Sequence, residues 1–262
     1  MKKCIICKNE MQKYFSCIAI KKYPFDMFFC SNCGFLQIEN PTWLDEAYNE
    51  AITLSDTGLV MRNIGLSKQL APLLFHLFGK GGRYVDFAGG TGLLVRLMRD
   101  AGYDFYWHDP YCRNIHARGF EFDTKNGPYN VVTAFEVLEH VLDPIKFVSE
   151  AIRQTQADVF IFSTELFEGI PPKPEGWWYY AFEIGQHIAF YQDKTLHFIA
   201  DKLGLNCNSF GQIHLFYQKK YTKLFASYFN SRLTRKIAGY KAIASLQSKT
   251  MSDSLILRGN GK

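Results

Sequence analysis

Residues 84–92, which read YVDFAGGTG, decide the fold of this 262-residue chain. Apolar residues on both sides of Asp86 indicate a buried strand, and the glycines after it indicate a sharp turn before a helix that starts near Leu93. A strand, a glycine-rich turn and a helix in this order present backbone amides at a helix N-terminus, where they favour negative or polar groups of a nucleotide-like ligand. The stretch therefore predicts an α/β fold built on a parallel sheet.

Two common nucleotide-binding patterns do not fit this turn. A dinucleotide site needs glycine or alanine at position 95, which is Val95, and a P-loop needs G-K-[ST], which is absent. The turn resembles motif I of the class I methyltransferases, D-x-G-x-G-x-G, with Ala88 in place of the first glycine. A purely structural turn is the alternative. The resemblance implies a Rossmann-like class I methyltransferase fold that binds S-adenosyl-L-methionine (SAM) through Asp86, Ala88, Gly89, Gly90 and Gly92.

The second strand ends in an acidic residue at the position that this resemblance requires. Asp109 lies 20 residues after Gly89, and an acid there can accept hydrogen bonds from both ribose hydroxyls. A turn-forming role for Asp109 is the alternative. The adenine contact is expected after the third strand, from Phe122 or Asp123.

Residues 131–144, VVTAFEVLEHVLDP, resemble the fourth strand and following loop of the same family. In that family the start of this loop lies beside the methionine part of the cofactor. The resemblance implies that Phe135 and Glu136 contact SAM. Glu139 and His140 could equally cap the next helix.

Alternating apolar runs and helical patterns predict the remaining elements. We expect strands at 83–88, 104–108, 119–122, 130–135 and 158–163, helices at about 92–102, 143–155 and 192–203, and a closing hairpin from 205–210 and 212–217. The predicted organisation is a metal-binding module (1–40), a helical linker (41–80), a SAM-binding domain (81–217) and a basic C-terminal extension (218–262) that is helical at first and loose at its end.

Two CxxC pairs near the N-terminus, Cys4–Cys7 and Cys30–Cys33, have the spacing of a structural zinc ribbon. Each pair can supply two thiolates from a tight knuckle, and together they complete a tetrahedral site. A module of forty residues buries little core, so that a metal ion would supply the missing stability. A redox-active pair is the alternative.

A long insertion between the fifth strand and the next helix, residues 165–191, is rich in aromatic residues. Its rings could stack against a substrate or could form a hydrophobic lid. His187 is the titratable residue with the pKa range that a general base needs, and we expect it to accept a proton from the acceptor group. A histidine that is merely hydrogen-bonded in the lid is the alternative.

A closer resemblance covers residues 23–37 and 186–191, which are similar to the zinc-binding domain and the E-H-x-x-Y-F segment of bacterial sugar C-methyltransferases. His187 then matches a histidine associated with catalysis in that family. Gln186 stands where that family has glutamate, Ile184 stands where it has tyrosine, and its large C-terminal domain has no counterpart. The resemblance implies a small-molecule or glycan-pathway methyltransferase acting at oxygen or carbon.

Charge is concentrated at the C-terminal end, where residues 216–262 hold ten Lys or Arg and one acidic residue. This favours an anionic partner, such as a phosphate-bearing substrate, nucleic acid or a membrane surface that the tail would contact peripherally. A solvated helical face with no specific partner is equally open. The alternatives are a nucleic-acid methyltransferase that docks through the ribbon and tail, and a non-catalytic SAM-binding scaffold. The absence of an apolar leader predicts a cytoplasmic location.

Overall fold

The computed structural model describes residues 2–48 and 56–259. Its strands are β1 (Lys2–Lys3), β2 (Glu10–Ala19), β3 (Tyr23–Phe29), β4 (Leu36–Ile38), β5 (Arg83–Phe87), β6 (Asp104–His108), β7 (Val131–Ala134), β8 (Val159–Ser163), β9 (Ala189–Phe190), β10 (Asn206–Phe210) and β11 (Ile213–Tyr217). Its α-helices are α1 (Leu44–Ala47), α2 (Leu59–Phe78), α3 (Leu93–Asp100), α4 (Pro144–Thr155), α5 (Asp193–Lys202), α6 (Thr222–Phe229), α7 (Arg232–Ser245) and α8 (Thr250–Leu257).

The strands form two sheets, and the larger one has the predicted α/β character. Its strand order is β10-β11-β8-β7-β5-β6, while the smaller sheet has the order β1-β2-β3-β4-β9. β5 pairs in parallel with both β6 and β7, with Tyr84 opposite Phe105 and Val131. Because parallel strands end at the same edge, the turns after β5 and β6 lie side by side. The Rossmann-like parallel sheet predicted from residues 84–92 is thereby confirmed.

The predicted elements between residues 83 and 217 are confirmed with one exception, the strand at 119–122. There Glu121 forms a single bridge with Trp107 of β6. The left-handed backbone of Gly119 (φ 86°) precedes the segment and a 3-10 turn at Thr124–Asn126 follows it. These two bends interrupt the extended backbone, so that only this one position of the segment pairs with β6.

Residues 1–53, 135–150 and 161–216 form one compact unit. β2 and β3 alternate between exposed and buried residues, and β3 buries Phe25 and Met27 on one face. This face packs against aromatic residues of the 165–191 insertion, with Tyr179, Tyr180 and Phe182 in the same core. The N-terminal strands and the insertion therefore share one hydrophobic core.

Residues 54–134, 151–160 and 217–262 form the second compact unit. α2 contacts α3, α6 and α7 in this unit.

The predicted loose C-terminal end is wrong for residues 250–257, which form α8. The reason is a buried ion pair: Arg99 (3% exposed) donates to both carboxylate oxygens of Asp253 (2% exposed) at 2.7 and 2.8 Å. Arg96 of α3 also contacts Asp253 at 3.0 Å, and these ion pairs hold α8 against α3.

Candidate functional site

The glycine-rich turn after β5 has an unusual backbone. Ala88, Gly90 and Gly92 have φ of 59°, 54° and 83°, in the left-handed region that glycine adopts most readily. A Cβ built on Gly90 would meet no atom within 4 Å, so that space is open beside the turn. The turn therefore presents its backbone where a ligand can approach closely.

Asp109, at the end of β6, is joined to this turn. Its Oδ2 accepts the amide of Gly90 at 2.9 Å, and its Oδ1 accepts the amides of Tyr111 and Cys112, each at 2.8 Å. The indole of Trp107 donates to the carbonyl of Gly90 at 2.9 Å. The side chain is half-buried, and a carboxylate has lone pairs beyond those used here. Asp109 can therefore accept one further hydrogen bond from a ligand in the open space.

Asp86 lies inside the sheet rather than on its edge. It is 4% exposed and accepts a hydrogen bond from the hydroxyl of Thr133, its register partner in β7. Burial and, to a smaller extent, the nearby Asp109 raise the pKa of Asp86 to about 7, although the hydrogen bond from Thr133 lowers it. The hydrogen bond from Thr133 ties Asp86 to β7, and direct contact with a cofactor stays a prediction.

Phe135 and Glu136 follow β7 directly, as the sequence predicts, and both are half-buried. Glu136 has a positive φ of 53°, which is uncommon outside glycine. Ser163 holds it there, since its hydroxyl accepts the Glu136 amide at 2.9 Å and donates to the Glu136 carboxylate. The sequence reasoning did not single out Ser163.

The two residues considered for the adenine contact have different surroundings. Phe122 is half-buried and its ring contacts Phe87 and His108, with centroids 5.5 and 5.6 Å apart. Asp123 is exposed and caps the following 3-10 turn by accepting the amide of Lys125. Phe122 is therefore the better candidate for a stacking contact, which stays a prediction.

His187 is half-buried, and it is held by Tyr179 before it in the chain and by β9 after it. Its Nδ1 lies 2.6 Å from the carbonyl oxygen of Tyr179. A carbonyl only accepts, so that Nδ1 carries the proton in the neutral ring and Nε2 carries the lone pair. β9, two residues on, pairs antiparallel with β4, with Leu36 opposite Phe190. The N-terminal sheet thus positions His187.

Glu139 and His140 lie in the same compact unit as His187. One ligand atom from each of the three residues lies within 4.8 Å of the others. Burial raises the pKa of Glu139, whereas burial and the neighbouring His187 lower the pKa of His140 to about 3. Capping of the next helix by Glu139 or His140 is wrong, because Asp143 does this by accepting the amide of Lys146 at 3.0 Å.

The four cysteines of the two CxxC pairs converge, with all Sγ atoms within 4.8 Å of one another. The knuckles are alike: the amides of Lys8 and Gly34, both at positive φ, donate to the carbonyls of Cys4 and Cys30 at 2.9 and 2.8 Å. The hydrogen bond from Cys33 lowers the pKa of the Cys4 thiol to about 5, which favours the thiolate that binds metals. This arrangement could hold a tetrahedral metal ion.

A family model described as "Methyltransferase domain" matches residues 63–209, more than half of the chain. The chain belongs to this methyltransferase family. It is a SAM-dependent methyltransferase. No curated protein sequence matches it.

Several solved structures are similar to this methyltransferase. Magnesium protoporphyrin IX methyltransferase from Synechocystis PCC 6803, with bound SAH, is 16% identical over 68% of this chain and 94% of its own, with a TM-score of 0.40. An O-methyltransferase family protein from Burkholderia thailandensis is 15% identical over 67% and 66%, with a TM-score of 0.40. An O-methyltransferase family 2 protein from Planctomyces limnophilus DSM 3776, in complex with apigenin, is 14% identical over 67% and 64%, with a TM-score of 0.42.

The residues of the β5 turn fit SAM. The open space at Gly90 admits a ligand against the backbone, and Asp109 adds a carboxylate beside it. The turn therefore combines a backbone that a ligand can contact closely with a carboxylate that can accept a hydrogen bond from ribose.

Most aromatic rings of the 165–191 insertion are buried by packing inside the methyltransferase. Tyr179, Tyr180 and Phe182 are at most 9% exposed and pack in the core of the N-terminal sheet, so stacking of a substrate on these rings is wrong. Trp178, at 76% exposed, is the ring of this cluster that remains accessible. The hydrophobic lid is thus the better description.

Ala88 gives a first prediction. A left-handed backbone costs an L-residue about 1–2 kcal/mol, and glycine avoids this cost while adding some unfolded-state entropy. We expect Ala88→Gly to raise the free energy of unfolding by up to about 1 kcal/mol, measured by denaturant melts. Ala101→Gly is the matched control, since Ala101 has a φ of −80° and should be neutral or destabilised by glycine. Loss of stability in Ala88→Gly would contradict the strain argument.

Proposed function

We propose that this methyltransferase modifies a small anionic acceptor, a sugar, nucleotide sugar or surface-polysaccharide unit, at oxygen or carbon. The observation that carries the proposal is the lone pair on Nε2 of His187, which the hydrogen bond from Nδ1 to Tyr179 leaves available to an acceptor group. The basic residues at 216–262 support an anionic acceptor. Peripheral contact of the same tail with an anionic membrane stays a prediction, as does the cytoplasmic location.

No helix among residues 2–48 and 56–259 has the length and apolar character needed to span a bilayer. A docked nucleic acid would need a contact surface that reads bases or grips phosphates. The ribbon and tail offer basic charge that could grip phosphates, but the sequence shows no base-reading motif, and we keep the small-molecule acceptor.

We propose that the four cysteines bind a structural zinc ion. Tetrahedral zinc with bonds of 2.3 Å places sulfur atoms about 3.8 Å apart. The Cys4–Cys33 and Cys7–Cys30 sulfur distances of 3.5 and 3.4 Å are close to this value. None of the four cysteines is in a disulfide.

We propose that the zinc module supports catalysis by positioning His187. The hydroxyl of Thr195 in α5 donates to the carbonyl of Cys33 at 2.7 Å, and the amide of Ile38 in β4 donates to the carbonyl of Ile188 at 2.9 Å. Both contacts join the ribbon to the chain on either side of β9. The module therefore serves as more than a separate docking piece.

Bound SAM supplies an electrophilic methyl group for direct displacement. The contribution of the chain is to hold the acceptor in line and to activate its hydroxyl or carbon acid, and we assign this activation to His187. The Tyr179 carbonyl fixes the tautomer and orientation of the ring that this work requires.

Methyl transfer from labelled SAM to a panel of nucleotide sugars, free sugars and short oligonucleotides tests the function. We expect transfer to nucleotide sugars or related glycan units and none to oligonucleotides. His187→Ala should lower kcat by about 10²–10⁴-fold with SAM affinity unchanged. His197→Ala is the matched control, because this exposed histidine of α5 belongs to the same compact unit. Full turnover by His187→Ala would remove the assigned role.

A further inference from the structure

Glu139, His140 and His187 form a cluster whose potential ligand atoms lie within 4.8 Å of one another. Two of them belong to the 3-10 turn at Leu138–His140, and the third precedes β9. All three lie in the same compact unit. Two imidazoles and a carboxylate are a donor set that metal ions use in proteins.

Glu139 is the unusual member. Its side chain is fully buried, and neither carboxylate oxygen has a hydrogen-bond partner in the described part of the chain. The hydroxyls of Thr164 and Tyr179 are near enough to influence it, yet they bond to each other at 3.3 Å and do not reach it with hydrogen-bond geometry. A buried carboxylate without a partner is costly, and a bound cation removes this cost.

Both histidines are prepared to act as ligands. Nδ1 of His140 lies 3.1 Å from the carbonyl oxygen of Gln186, as Nδ1 of His187 does from Tyr179 at 2.6 Å. Each Nδ1 therefore donates, and each Nε2 keeps its lone pair. Histidines that bind metals usually donate their other ring nitrogen in this way, to a carbonyl or carboxylate that fixes the ring.

The backbone around the cluster is held from two sides. The amide of Ile188 donates to the carbonyl of Glu139 at 2.8 Å, and the hydroxyl of Tyr191 donates to the carbonyl of Leu138 at 2.6 Å. These bonds fix the 3-10 turn against the segment that carries His187. The three ligands are therefore assembled by the fold itself.

We propose that Glu139, His140 and His187 bind a divalent first-row transition-metal ion that activates an acceptor hydroxyl. Three protein ligands leave coordination positions open for an oxygen of the acceptor. The part of this inference that concerns the acceptor rests on the proposed function. The ion lowers the pKa of the bound hydroxyl, whose proton passes to water. The oxygen lone pair then forms the bond to the methyl carbon as the carbon–sulfur bond breaks, with its electron pair left on sulfur.

This site replaces the role of His187 as a direct proton acceptor, which the sequence led us to expect and the proposed function assigns to it, with a role as a metal ligand. A nitrogen that ligates a metal ion has no lone pair left to accept a proton. His187 then activates the acceptor through the ion and not by direct proton transfer. The proposal also narrows the acceptor atom to oxygen, because a hydroxyl is the group that such an ion binds and acidifies.

Manganese binding to the zinc-loaded full chain is the test. Mn²⁺ prefers nitrogen and oxygen ligands, so that the four-thiolate site does not compete for it. Loss of the electron paramagnetic resonance signal of free Mn²⁺ should show one ion bound per chain. Glu139→Gln and His187→Gln should each weaken binding at least tenfold, while His197→Gln should bind as the wild type does.

Two further measurements on the same samples complete the test. Mn²⁺ should raise the Tm of the wild type and of His197→Gln but not of Glu139→Gln, which should fold because it replaces a buried charge with a neutral amide of the same shape. SAH affinity, measured in parallel, reports on the cofactor site alone, so that failure of the metal site and failure of the proposed function are distinguishable. No Mn²⁺ binding by the wild type, or equal binding by the three variants, would overturn the proposal.

Discussion

Replacing Cys33 with serine is expected to destabilise the segment that carries His187, while the glycine-rich turn after β5 keeps its structure. Structural zinc contributes about 10–16 kcal/mol to the folding of small modules, and one lost ligand removes much of this. Cys33 lies three residues before β4, which pairs with β9. The amides of Ile38 and Ile188, which hydrogen-bond in this region, should therefore exchange with solvent at least about 100-fold faster, since each 1.4 kcal/mol is a factor of ten.

Hydrogen exchange followed by mass spectrometry, together with zinc content, measures this effect. Cys17→Ser is the matched control, because Cys17 is a half-buried thiol of β2 outside both knuckles. It should retain one zinc ion per chain and wild-type exchange. Loss of zinc from Cys33→Ser without faster exchange at β4 and β9 would contradict the positioning role of the module.

Asp109→Ala is expected to weaken SAM binding by about 10²–10³-fold. A hydrogen bond to a charged group contributes about 1.5–3 kcal/mol, and this carboxylate has one acceptor site left for a ribose hydroxyl. The substitution also removes the acceptor for the amide of Gly90, which loosens the turn. Asp109→Asn keeps one acceptor oxygen and should lose about tenfold.

Titration calorimetry with SAH measures the Asp109 effect without knowledge of the acceptor. Asp201→Ala is the control, since Asp201 is an exposed residue near the end of α5. Circular dichroism should show that each variant is folded. Wild-type affinity in Asp109→Ala would exclude this residue from the cofactor site.

The strand, turn and helix at residues 83–100 could be predicted from the sequence because their signals are local. Apolar residues mark β5, glycines mark the turn, and the helical pattern follows at once. Even the departure from the family motif has a local explanation, because Ala88 adopts the left-handed backbone that glycine would adopt there. Asp109 could be predicted from the sequence in the same way, because it directly follows the next strand.

The support of His187 could not be predicted in this way. β9 has only two residues, too few for any periodicity, and its partner β4 lies about 150 residues earlier in the chain. The four cysteines were visible as a motif, whereas their connection to His187 depends on this distant pairing.

The cluster of Glu139 and His140 with His187 was missed for a related reason. In the sequence His140 and His187 stand 47 residues apart, and Glu139 resembles an ordinary acidic residue ahead of a helix. Burial distinguishes it, and burial depends on the packing of the whole unit. α8 was missed likewise, because the pairing of Arg99 with Asp253 spans more than 150 residues.

Calorimetric titration of SAH into the zinc-loaded wild-type chain tests the central claim most directly. The account predicts one SAH bound per chain, with a Kd on the order of 10 µM, near the substrate affinities that enzymes commonly show. A folded, zinc-containing sample that gives no heat of binding at millimolar SAH would contradict it.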